Sequence, residues 1–216
     1  MLADFVKPAE APPGADLAPG LLLYRAYLSD AAQRTLGAEI RGILQKAPWF
    51  TPRMPRSGRP FSVKMTNCGT LGWVSDVEGY RYEARHPVTG RPWPAIPASV
   101  LEIWRAVSGC PHPPEACLIN FYAGQARMGL HQDRDEGDFA APVLSISLGD
   151  RCTFRYGGLR RSDTARKVEL HSGDVLVMGG PSRLIFHGVD KIHPGTSDLW
   201  PAGGRINLTL RRVTKP

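Results

Sequence analysis

Downstream of Gly109 the chain is divided into short apolar runs by Gly, Asp and Ser, and this spacing limits the architectures open to it. Residues 116–122, 143–148, 152–156, 167–171, 174–178, 183–187 and 205–211 each have strand length, with Gly173-Asp174 and Gly179-Gly180 as tight turns. Short strands at such close spacing bury their apolar faces as a sandwich or a jelly roll. Two amphipathic helices precede them. Ser29 caps the first, whose stripe of Leu36, Ile40, Ile43 and Leu44 ends at Ala47-Pro48. The second runs from Pro97 to Val107 with Val100, Leu101, Trp104 and Val107 on one face, and Gly109 ends it. A further strand is expected over 21–28. The pattern predicts an α+β chain in which a jelly roll carries helices on one flank.

A chain of 216 residues is expected to form one domain, here 21–216, after an Ala/Pro-rich arm over 1–20. That arm shows no apolar core flanked by basic residues, so neither a signal peptide nor an anchor is read in it. Leu21-Leu22-Leu23 is far too short to span a bilayer. Cys68, Cys110, Cys117 and Cys152 form no C-x-x-C pair, which suits buried thiols in a reducing, cytoplasmic setting. A net charge of +7 is a mild pointer to a polyanion.

Polar residues on inward faces carry more information. Over 116–122, Leu118, Asn120 and Tyr122 share one face and Ile119 and Phe121 the other. An Asn and a Tyr facing inward imply something polar to be held there. The last strand repeats the signal: Arg205, Asn207, Thr209 and Arg211 face one way, and Ile206, Leu208 and Leu210 the other. Two arginines on a buried face need anions, because an unpaired buried guanidinium is very costly. Glu169, Asp174 or Glu136 would serve, and so would a dicarboxylate ligand with one arginine near each end.

His131-x-Asp133 places an imidazole and a carboxylate on one side of an extended chain, two of the three ligands of a 2-His-1-carboxylate iron face. His187, finishing the strand expected over 183–187, is the best third ligand. His86, His112 and His193 lie beside prolines, and His171 adjoins a turn. A calcium loop starting at Asp133 is excluded, since Gly137, Asp138 and Leu144 fall where an oxygen ligand, a Gly and a Glu are needed. Between Trp49 and Trp93, aromatic residues alternate with Arg53, Arg56, Arg59 and Lys64. Rings that stack on unpaired bases and cations that meet phosphates suit single-stranded nucleic acid. A structural loop with tucked-in rings and solvated arginines would read the same way.

Asn120-x-Tyr122, His131-x-Asp133-x-Asp135-Glu136, His187 and Arg205-x-Asn207-x-x-x-Arg211 together resemble the bacterial AlkB DNA-alkylation repair dioxygenases, as does Met65-Thr66-Asn67-Cys68-Gly69-x-Leu71-Gly72-Trp73. The likeness runs from about Leu21 to Arg212. It implies a double-stranded β-helix core over 116–212, a nucleotide-recognition lid over 49–93, and a monomer. It also implies Fe(II) on His131, Asp133 and His187, with 2-oxoglutarate as cosubstrate and O2 as oxidant. Arg205, Tyr122 and Asn207 would hold the distal carboxylate, and Arg211 with Asn120 the iron-chelating end. The base would enter between Trp73 and His131, near Met65, Tyr80 and Leu118. Asp135 would meet its exocyclic amine, with Glu136 and Arg161 close by. Met178 stands where the family has a pocket-lining Trp. The implied reaction is oxidative demethylation of 1-methyladenine and 3-methylcytosine in single-stranded DNA, with double-stranded DNA and RNA as further candidates. Hydroxylation of a protein or small molecule, or nucleic-acid binding without catalysis, are the alternatives.

Overall fold

The computed structural model describes residues 14–216, and residues 1–13 of the arm expected over 1–20 lie outside them. Ala15–Ala18 (β1) pairs antiparallel with Leu21–Tyr24 (β2), so the end of the expected arm is a strand. β2 stops at Tyr24, short of the expected Leu28. There Asp174 captures Arg25 Nη1 at 2.8 Å and the Ala26 N–H at 2.9 Å, and Ala26 turns out of the sheet with φ +46°. Asp30–Lys46 (α1) starts as predicted, with the Ser29 hydroxyl accepting from the Ala32 N–H at 3.2 Å.

Within 49–93, Lys64–Gly69 (β3) is an edge strand of the main sheet, paired with the strand that carries Asn120. Gly72–Asp76 (β4) and Gly79–Glu83 (β5) form a separate hairpin. Ala98–Val107 (α2) follows, packing Val100, Ile103 and Trp104 into the core.

The remaining strands wind between two sheets. They are Ala116–Tyr122 (β6), Met128–His131 (β7), Val143–Gly149 (β8), Cys152–Tyr156 (β9), Arg166–Leu170 (β10), Val175–Met178 (β11), His187–Ile192 (β12) and Arg205–Arg211 (β13). The large sheet has the order β1-β2-β11-β8-β13-β6-β3 and the small one β10-β9-β12-β7. This is the double-stranded β-helix expected of the jelly-roll class. The strand expected over 183–187 is absent. A 3-10 turn at Gly180–Ser182 precedes it, and the buried Arg183 is drawn away to Ala141 O (2.8 Å) and Asp133 O (2.7 Å). His187 therefore opens a strand rather than ending one.

Strand alternation divides the interior in two. Ile119, Leu144, Ile146, Leu148, Ile206, Leu208 and Leu210 face α1 and α2 and form the helix-side core. Each such buried aliphatic stabilises the fold by about 2 kcal/mol. The opposite face of the large sheet, with Leu118, Tyr122, Leu176 and Met178, meets Phe154 and Val189 of the small sheet. The site lies in that inter-sheet space. No helix among the described residues is long and apolar enough to cross a membrane.

Candidate active site

His131 ends β7 and His187 opens β12, and the two are direct register partners with ring centroids 4.5 Å apart. Asp133 presents Oδ1 3.7 Å from His131 Nε2 and Oδ2 3.8 Å from His187 Nε2. One ligand atom from each of the three residues lies within 4.8 Å of the others. His131 Nδ1 sits 2.9 Å from Gly129 O, and His187 Nδ1 3.1 Å from Ile185 O. A carbonyl only accepts, so each Nδ1 holds its proton and each Nε2 offers a lone pair to the shared point. Burial, and then the neighbouring His131, push His187 down to about 4, so its ring is neutral at pH 7. Burial by itself would raise Asp133, but Arg211, His187 and His131 outweigh it and hold the carboxyl well below its usual range. Two imidazole Nε2 atoms and an ionised carboxylate beside an open cavity fit ferrous iron.

Gly188 allows this geometry. A Cβ there would come within 2.5 Å of Met128 O and 2.8 Å of Gly129 O, so β12 lies against β7 only with glycine at that position. Gly188→Ala is expected to part the two strands and weaken Mn(II) or Fe(II) binding by roughly tenfold or more, as changes just outside a metal's ligands do. Metal titration of the variant checks it, and an affinity equal to wild type would show that other contacts position the histidines.

A cavity of about 500 Å³ opens beside the triad. Leu118, Asn120 and Tyr122 of β6 line it with Asn207, Thr209 and Arg211 of β13, as their strand periods predict. Asn207 Nδ2 donates to Ser145 Oγ at 2.6 Å, and Asn120 Oδ1 is buried without a partner. Arg211 grips Asp133 with both limbs, Nη2–Oδ1 2.9 Å and Nε–Oδ2 3.2 Å. Of the carboxylates weighed from sequence, Glu136 lies 3.5 Å from Arg211, while Asp174 pairs with Arg25 and Glu169 with Arg151. Arg205 is fully buried and has no carboxylate partner among the described residues. It donates to Ser147 Oγ at 2.6 Å, and its Nε is unsatisfied. Arg205 stands behind the cavity lining rather than in it. A buried cation without a counter-ion and orphaned polar atoms fit a dicarboxylate such as 2-oxoglutarate.

The cavity mouth is aromatic. Trp73 stacks on Tyr80 at 5.4 Å and meets Phe61 edge-on at 6.3 Å, and Met65 lies on the inner wall. Asp135 lines the mouth and accepts from Trp73 Nε1 at 2.8 Å. Two expected base neighbours sit otherwise. Glu136 lines the cavity, but its carboxylate is taken by Tyr82, Arg183 (3.1 Å) and Arg211. Arg161 is outside the lining; it donates to Leu130 O at 2.6 Å and lies over the Phe186 ring at 5.5 Å. Sequence reasoning missed Tyr82, Ser145, Ser147 and Arg183. Only the two serines had a signal, alternating with Leu144, Ile146 and Leu148 on the inward face of β8.

Fold and site together define an Fe(II)/2-oxoglutarate-dependent oxygenase. The chain matches the 2OG-Fe(II) oxygenase superfamily over residues 20–211. It is 52% identical, over 207 residues, to the alpha-ketoglutarate-dependent dioxygenase AlkB homolog of Caulobacter vibrioides (strain NA1000 / CB15N), covering 96% of this chain and 91% of that one. It is 34% identical to the DNA N(6)-methyladenine demethylase ALKBH1C of Arabidopsis thaliana, covering 95% of this chain and 51% of the relative. The solved structure of OsALKBH1 superposes with a TM-score of 0.79 at 33% identity, covering 93% of this chain and 100% of that one. The chain belongs to the AlkB alpha-ketoglutarate-dependent dioxygenases of that superfamily. It is a dioxygenase that uses Fe(II), 2-oxoglutarate and O2, and the alternative of a protein without catalysis falls away.

Proposed function

We propose that this dioxygenase repairs N-alkylated bases in nucleic acid, removing the methyl group of 1-methyladenine and 3-methylcytosine. Its main substrate is single-stranded DNA, with double-stranded DNA and RNA as further substrates, and it works as a cytoplasmic monomer. The observation that carries the reading is the wall of Trp73, Tyr80 and Phe61, with Asp135 at its edge, over a cavity that ends on His131, Asp133 and His187. A flat ring entering there would stack on aromatic faces and reach the metal with its substituent. Methylation at N1 of adenine or N3 of cytosine makes the base a cation that pairs poorly, so it leaves a helix at low cost and is attracted by the Asp135 carboxylate. Arg53, Arg56 and Arg59 are exposed with no carboxylate partner among the described residues, which suits phosphates. The name of the Arabidopsis relative assigns that protein to methylated DNA.

When bound, iron with 2-oxoglutarate and O2 would supply the oxidation of the N-methyl carbon, which would leave as formaldehyde while 2-oxoglutarate becomes succinate and CO2. The protein provides position and charge. His131, Asp133 and His187 would hold the metal. Arg211 with Asn120 would fix the iron-chelating end of the dicarboxylate, and Tyr122 with Asn207 the distal end, with the buried charge of Arg205 behind them. Trp73 and Tyr80 orient the base and exclude water. Asp135 exchanges its bond from Trp73 for one from the exocyclic amine, and Leu118, Met65 and Met178 give the pocket an apolar wall. Glu136 and Arg161 act behind the base contacts, not on the base.

The test is incubation with a 1-methyladenine oligonucleotide, Fe(II), ascorbate and 2-oxoglutarate. Formaldehyde release and loss of the methyl mass are expected, both dependent on 2-oxoglutarate. Succinate formed with a peptide or small molecule, but with no methylated oligonucleotide, would replace repair by hydroxylation of that substrate.

A further inference from the structure

Tyr82 lies on β5, two residues from Tyr80 and therefore on the same face of the hairpin. Its register partner is Trp73. The pair meet successive residues of one loop, Trp73 bonding Asp135 and Tyr82 bonding Glu136. Asp135 is exposed and Glu136 is buried. The Tyr82 hydroxyl donates to Glu136 and lies 3.5 Å from Arg211 Nη1, so it bridges the groups behind Asp133. Glu136 in turn spans two guanidiniums, Arg183 Nη2 at 3.1 Å and Arg211 Nε at 3.5 Å. Every other contact of this network comes from the jelly roll and its loops. Among the described residues, Tyr82 is the one member contributed by the hairpin at the cavity mouth.

We propose that Tyr82 is a positioning residue for the 2-oxoglutarate site, acting through Glu136 to hold Arg211 in the orientation that receives the cosubstrate carboxylate. The inference rests on Arg211 binding 2-oxoglutarate. An arginine that must release one carboxylate and take another needs its shaft and remaining N–H groups fixed, or its fork loses the match to the ligand. Glu136 supplies the fixed charge, and the Tyr82 hydroxyl stops that carboxylate rotating away. The hairpin that meets the base and the strand that meets the cosubstrate thereby share one hydrogen-bonded chain.

The experiment is calorimetric titration of 2-oxoglutarate into the full chain loaded with Mn(II), without nucleic acid. Tyr82→Phe keeps the ring and removes only the hydroxyl. It is expected to weaken 2-oxoglutarate binding about tenfold, the scale of effects from groups just outside a site's direct contacts. Mn(II) affinity and the unfolding midpoint should stay close to wild type. In turnover assays KM for 2-oxoglutarate rises while kcat at saturation is largely kept. Glu136→Gln is expected to show the same loss, since a neutral amide cannot bridge two guanidiniums. Arg81→Gln, on the opposite face of β5 where it pairs with Asp76 and Glu83, should bind 2-oxoglutarate as wild type does. Wild-type binding by Tyr82→Phe, with or without a raised KM for the oligonucleotide, overturns the proposal. Arg211→Gln separates the two levels: if it too binds 2-oxoglutarate normally, the assignment of Arg211 is what failed.

Discussion

Asp133→Ala is expected to bind no stoichiometric Fe(II) or Mn(II) and to turn over at background. Asp133 supplies the only carboxylate of the ligand group, and both of its oxygens face histidine Nε2 atoms within 3.8 Å. It is also the main counter-ion of Arg211. Its removal leaves that buried guanidinium with Glu136 alone, so the metal-free protein should lose about 3 kcal/mol as well, the lower end for breaking a buried pair. The sign of the pH dependence follows. Because the folded state holds Asp133 ionised below its usual range, its contribution is fully present above the unfolded pKa of about 4. It is lost as pH falls through the depressed folded value. The wild type should therefore lose its advantage over Asp133→Ala only in strong acid. Metal titration and denaturant unfolding of the two proteins check both halves. A variant that still binds one equivalent of metal at wild-type affinity would rule out the triad as the metal site.

Arg183→Met should be the most damaging change outside the ligand set. The Arg183 side chain is 3% exposed, pairs with Glu136, and holds the backbone carbonyls of Asp133 and Ala141. Breaking such a pair from one side costs about 3–5 kcal/mol. At roughly 2–4 °C per kcal/mol for a chain of this size, the unfolding midpoint should drop by about 10 °C. Removing the partner as well, in Arg183→Met/Glu136→Leu, should recover part of the loss, because the apolar replacement side chain then no longer faces a buried carboxylate. The thermal midpoints decide it, and a single variant within about 2 °C of wild type would mean that this buried pair contributes nothing.

Asp133 and Arg183 differ in how far the primary sequence foresees them. Asp133 is legible because His-x-Asp is a local pattern, two side chains brought to one side by the strand period. The inward polar faces of β6 and β13 are legible for the same reason, and Asn120, Tyr122, Asn207 and Arg211 do line the cavity. Arg183 is not. Its neighbours Leu184, Ile185 and Phe186 are apolar and β-prone and predict a strand, and propensity yields to tertiary contacts. Arg205 is buried as its strand period implies, yet its reach stops at Ser147 and two carbonyls behind the cavity.

What the chain determines by itself is periodicity: which residues of each strand turn inward, where Ser29 starts a helix, and that two arginines on a buried face require anions. Pairing was decided by the tertiary structure. His187 meets His131 because β12 lies beside β7 across an irregular register that a glycine permits. Glu136 becomes a hub because Tyr82, Arg183 and Arg211 arrive from three distant segments. Alternation is a property of a few consecutive residues. The choice of counter-ion is made by packing between residues dozens of positions apart, where the cost of an unpaired buried charge selects the partner.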